Sequence, residues 1–168
     1  SASHIETLEL GIPVLKGADV VFGHPVPELD ELPETEHPNL PREREHFERL
    51  AQSGPVIAVT LNKTNYLKAD GGKDAFDFDD YGCRMRALLV HVLDKTGGHI
   101  VLFPHFYGED RKEQRILSAV SLRLAREQKR VSVLHPYLNS QAQRALYRLA
   151  DFAIRHRYHP TNFATAAG

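Results

Sequence analysis

The chain has 168 residues, 42% hydrophobic and 26% charged, enough for one domain with a real core and room for an extension. A formal net charge of −1 and a pI near 6.8 exclude a general attraction to nucleic acid or anionic membrane, and no apolar run approaches the roughly 18–20 residues that span a bilayer. One cysteine, Cys83, excludes an internal disulfide and suits a reducing cytosol, where it reads as a packing residue near a helix start.

The chain opens without an initiating Met or a signal or transit pattern, and Ala164 to Gly168 stop inside an apparent helix. The expectation is a fragment or processed product of something longer. Ser3-His4-Ile5-Glu6 fits a capping box, and with Leu8 and Leu10 it reads as the last helix of a preceding unit. Val20-Val21-Phe22 follows as a short strand, closing a first region over 1–22. From Gly23 to Pro41 prolines recur among acidic residues, a composition expected to be an extended, solvated linker between two lobes. A charged helix over 42–52, with Phe47 and Leu50 on one side, completes a second region over 23–53.

Regular alternation begins at Gly54 and defines a third region over 54–168. Val56 to Leu61 is a buried strand, followed by a long polar loop from Asn62 to Asp80 that is expected to be mobile. A helix over 82–95 places Met85, Leu88, Leu89 and Val92 inward and closes at Gly97-Gly98. His99 to Phe103 is the second strand. A helix from about Asp110 to Gln128 turns Ile116, Leu117, Val120 and Leu124 inward, and Val131 to Leu134 is the third strand. Ser140 with Gln143 is expected to cap a helix carrying Ala142, Leu146 and Leu149. Phe152-Ala153-Ile154 is a short fourth strand, and Pro160 opens a last helix, where its missing N–H is harmless.

Four alternations of strand and helix predict an α/β, Rossmann-like parallel sheet with helices on both faces. Right-handed crossovers then bring the loops Asn62–Asn65, His105–Asp110 and Arg155–His159 to one edge, joined by Pro136-Tyr137. Ligands of such sheets bind at that edge, and helix N-termini offer free N–H groups to anions there. Arg157 with His159 therefore reads as an anion site: the guanidinium grips an oxyanion bidentately and the imidazole supplies a proton near neutrality. The competing reading pairs Arg157 with Asp151 and leaves His159 as a helix cap.

His105 leaves the sheet on the same edge, either as a ligand contact or as a buried turn residue, while Asp110 with Glu113 caps the next helix. Lys63 offers a second cation, unless it is an ordinary exposed lysine. Arg155 and His156 flank the pair, with one of them pointing away. No histidine or cysteine spacing matches a zinc site, so no metal is expected. Dinucleotide, P-loop and nucleophile-elbow signatures are likewise missing from the sequence. Arg123, Arg126, Lys129 and Arg130 read as a solvated helix end.

The segment from Leu149 to Gly168 resembles the polysaccharide pyruvyl transferase family. It shares Asp151, an apolar strand at Phe152–Ile154, Arg157-Tyr158-His159, and Phe163-Ala164 in a following helix. Leu102-Phe103-Pro104-His105 with Asp110, and Leu10-Gly11-Ile12 before Gly17 to Phe22, agree in order. The resemblance implies a two-lobed glycosyltransferase-B-like fold, of which this chain supplies the linker and most of the C-terminal lobe. It implies transfer of a pyruvyl group from phosphoenolpyruvate to two hydroxyls of a saccharide, forming a ketal in exopolysaccharide biosynthesis. Arg157 and His159 would then bind the donor. Pro160 stands where a small residue is usual in the family. Asn62-Lys63 stands where many members carry an arginine after the first strand.

The expected enzyme uses no cofactor beyond phosphoenolpyruvate as donor substrate, with a saccharide or lipid-linked saccharide as acceptor. His159 and His105 are the candidate acids, and Arg157, His159, Lys63 and Asn62 the donor contacts. The expected setting is cytoplasmic, with peripheral association at the inner face of the membrane as a variant. The isolated chain is expected to be inactive without its N-terminal lobe. A nucleotide-sugar glycosyltransferase of the same fold and a non-catalytic interaction domain are the rival expectations.

Overall fold

A computed structural model describes residues 25–61, 78–104, 112–124, 127, 129–135 and 138–155. Its elements in chain order are a 3-10 turn at Leu29–Glu31, α1 (Leu40–Ala51), β1 (Val56–Val59), α2 (Phe78–Thr96), β2 (His99–Leu102), α3 (Lys112–Arg123), β3 (Val131–Val133), α4 (Ser140–Tyr147) and β4 (Phe152–Ile154). The four strands form one sheet in the order β3-β2-β1-β4, and all three pairings are parallel. The expected α/β, Rossmann-like architecture is therefore present.

The two faces can be read from the register. Ile57, Val59, Ile100 and Leu102 pack with Leu89, Leu93, Ile116, Val120 and Leu124, so α2 and α3 cover one face. Val56, Ala58, Val101 and Phe103 pack with Phe47, Ala142, Ala145 and Leu146, so α1 and α4 cover the other. This division follows from handedness. The chain steps from β1 to β2 to β3 in one direction, then crosses back beyond β1 to reach β4. A crossover of the same hand in the reverse direction must lay its helix on the opposite face. Phe103 locks the second layer together, stacked on Tyr147 at 4.3 Å and edge-on to Phe47 at 6.0 Å between ring centres.

Several expectations change in detail. α1 starts at Leu40, two residues earlier than expected, because Pro41 falls in the first turn where proline is tolerated. Its buried stripe is Leu40, Glu43 and Phe47. The stretch preceding it is not uniformly solvated: Leu32 and His37 are buried, and Arg44 and Arg148 pair with Asp30 and Glu28. α2 begins at Phe78, so the last three residues of the expected loop are helical, and 62–77 lie outside the described residues. Leu88 is exposed rather than inward, and Tyr81 and Leu93 fill the face with Leu89 instead. With the partly buried Met85, those three residues recur every four positions and so track one side of the helix. Cys83 is exposed beside the Arg123 guanidinium and is not a packing residue.

Gly97 closes α2 with φ at +67°, the left-handed conformation glycine adopts freely. Gly98 is required for space, since an added Cβ would lie 2.2 Å from the Pro55 carbonyl oxygen. Arg130 is not simply solvated: it donates to the Gly98 and Leu93 carbonyls and so covers the open end of α2. The expected cap of α4 is also displaced. Asn139 is the N-cap, its side-chain oxygen accepting from the Ala142 N–H at 2.9 Å, while Gln143 donates to the Pro104 and Leu138 carbonyls.

Candidate functional site

The strand order creates a topological switch point between β1 and β4, the place where ligands of open α/β sheets bind. The ladder continues past the strand ends at the carboxyl edge. Thr60 N–H donates to Ile154 C=O at 3.0 Å, Phe103 N–H to Val59 C=O at 2.8 Å, and Leu134 N–H to Leu102 C=O at 2.9 Å. All four strands thus end at one edge, as the sequence predicts. From there the chain runs on toward Asn62 and Lys63 after β1, His105 after β2, and Arg157 and His159 after β4. Those five residues, with His156, Asp110, Arg126 and the Pro136-Tyr137 pair, lie outside the described residues. The structure describes the strands that lead to them, and β2, β1 and β4 are consecutive neighbours.

Asp151 belongs to the opposite edge. Its Oδ2 accepts the Val56 N–H at 2.8 Å, and its own N–H donates to the Val56 carbonyl at 2.9 Å. Both bonds close around one residue of β1, so Asp151 sets the register of β4 against β1. This carboxylate sits at the amino end of β4, whereas Arg157 follows the carboxyl end.

A polar group that sequence reasoning missed lies at the carboxyl edge on the α1/α4 face. Only four residues separate α1 from β1, so α1 runs antiparallel to the strand and its first turn reaches the ligand edge. There the Glu43 side chain, only 8% exposed, accepts the backbone N–H of His135, which follows β3. Burial pushes the Glu43 carboxyl above its ordinary value, against smaller opposing effects of the His135 bond and of the His135 and Arg42 charges. Buried His37 approaches from the preceding segment, its Nε2 3.5 Å from the Asn139 amide nitrogen. An amide nitrogen only donates, so His37 Nε2 is the acceptor.

Chemically, this group holds a carboxyl that gives up its proton reluctantly and feels the charge of His135, with the His37 imidazole at the capped start of α4. The only available signal for it in the sequence was a buried-stripe position occupied by glutamate. Its partner is 92 residues away, which no local pattern reveals. Among the described residues, no group of three or more His, Cys, Asp or Glu side chains is arranged to hold a metal ion. None of their helices is long and apolar enough to cross a membrane.

These features define an α/β, doubly wound class of domain whose ligand edge opens between β1 and β4. No family model, curated protein or solved structure matches the chain.

Proposed function

We propose that this chain is most of the C-terminal lobe of a glycosyltransferase-B-like pyruvyl transferase. It would take phosphoenolpyruvate as donor and a saccharide diol as acceptor. The observation that carries the reading is the adjacency of β1 and β4 at the switch point. Those two strands run into Asn62-Lys63, which stands where many pyruvyl transferases carry an arginine, and into Arg157-Tyr158-His159, which the likeness to that family picks out. The donor is a small, highly charged anion, and Arg157 and Lys63 are the cations suited to its phosphate and carboxylate.

In the proposed reaction an acid, His159 or His105, protonates the donor's methylene carbon. The electron pair of the C=C bond forms the new C–H bond and leaves an oxocarbenium-like centre at C2. One saccharide hydroxyl attacks C2 and loses its proton. The C2–O bond to phosphate then breaks with its electrons on oxygen, and a second hydroxyl attacks to close the ketal. Donor and diol are thereby converted to ketal and inorganic phosphate; of the two protons released by the hydroxyls, one returns to the acid and the other leaves on the phosphate. A positioned acid contributes typically about 10²–10⁴-fold to such a step.

The test is phosphate release from phosphoenolpyruvate by a full-length protein containing this segment, in the presence of saccharide acceptors. His159→Ala should lose that release while keeping the fold by circular dichroism. Retained activity in the variant, or turnover of a nucleotide sugar instead of phosphoenolpyruvate, would overturn the assignment.

A further inference from the structure

Two histidines fasten α1 to the sheet. His46, on α1, places Nε2 2.8 Å from Ser132 Oγ on β3. Its Nδ1 lies 3.3 Å from Arg49 Nη2. A guanidinium has no acceptor, so Nδ1 must carry a lone pair and Nε2 the proton. His99, at the start of β2, places Nε2 2.8 Å from the hydroxyl of Ser53, in the turn that leaves α1. Ser53 spends its one proton on the Leu50 carbonyl at 3.0 Å, so it accepts from His99 Nε2–H. His99 Nδ1 is then unprotonated, buried, and without a hydrogen-bond partner among the described residues.

The bonds of His46 thus require its neutral form, and the buried, unpartnered Nδ1 of His99 favours the same form there. A second proton on His46 would face the Arg49 donors, and one on His99 would sit in a buried spot with no acceptor. The charged surroundings agree. Arg42, Glu45 and Arg49 come from α1, His99 from β2, and Arg130 from the segment entering β3. Glu45, the carboxylate of this set, is already held by Arg49 at 3.0 Å. Burial lowers both imidazoles, with Arg49, His99 and Arg42 adding for His46 and Arg130 for His99.

We infer that His46 and His99 form a pH-released latch, in which neutral imidazoles dock α1 and its exit turn on the sheet and mild acid undocks them. The same helix carries Glu43 to the His135 N–H, so release would loosen the carboxyl edge on this face as well. The inference depends on no reading of the protein's activity.

Amide hydrogen exchange of the whole chain, followed by mass spectrometry at pH 7.5 and 5.5, tests the latch. After correction for intrinsic exchange, the opening of α1 should rise between pH 7.5 and 5.5 by up to about tenfold for each imidazole held neutral in the docked state, while α3 stays protected. Unchanged protection of α1, or an equal loss in α3, would overturn the inference. A His46→Gln/His99→Gln double variant should lose the pH response, and an undiminished response would also overturn it. Should that variant fail to fold, NMR titration of the unaltered chain decides. Both imidazoles must titrate below the ordinary value of about 6.5, and a midpoint at or above it contradicts the latch.

Discussion

The backbone N–H of Thr60 donates to the carbonyl of Ile154 at 3.0 Å, joining β1 and β4 where both strands reach the ligand edge. These residues are far apart in sequence, and the chain visits β2 and β3 between them. Any ligand held between the two loops beyond this bond depends on the register of β4.

Asp151 sets that register, so its replacement should be felt. Asp151→Ala leaves the Val56 N–H without its carboxylate and should cost about 1–3 kcal/mol. Asp151→Asn keeps an acceptor and should cost less. Urea denaturation measures both, as a fall in midpoint at constant slope.

Gly98 is the other position where the backbone leaves no latitude. Gly98→Ala places a Cβ 2.2 Å from the Pro55 carbonyl oxygen, where only backbone movement can relieve the clash. A loss of about 1–3 kcal/mol or more is expected, as for other overpacked sites. A variant as stable as the original would mean that Pro55 and β2 separate easily.

Glu43 makes a prediction whose sign depends on pH. Its folded-state value is raised, so the group's contribution to stability is full below its unfolded value and is lost as pH rises through the folded one. Glu43→Gln keeps an acceptor for the His135 N–H but has no charge to bury. Relative to the unaltered chain, the variant should therefore gain stability from pH 4 toward pH 7. Parallel denaturant titrations at several pH values measure this difference, and a variant that loses relative stability on going to pH 7 would contradict the burial argument.

The strands were legible because each is a short apolar run ended by a polar or glycine-containing stretch, as at Val56–Leu61 and His99–Phe103. The stop of α2 was legible because Gly97-Gly98 follows a helical apolar pattern. Strand order was less accessible: Phe152–Ile154 has no feature that chooses β1 over β3 as a neighbour. The inward position of Leu93 and the exposure of Leu88 depend on where α3 lies, which periodicity within α2 does not specify. Asn139 outcompetes Ser140 as the cap because its carbonyl reaches the Ala142 N–H, a difference of one residue between two good capping types. The burial of His37 arises from tertiary packing of a segment whose composition is that of a solvated linker, and the Glu43–His135 bond from packing of the charged helix α1 against the end of β3.

Calorimetric titration of the chain with phosphoenolpyruvate, alone and as Arg157→Ala, tests the proposed donor site most directly. Binding by the unaltered chain should weaken at least about tenfold in the variant, as expected for losing a hydrogen bond between charged groups. Equal affinity in the two proteins, or binding of a nucleotide sugar with none of phosphoenolpyruvate, would contradict it.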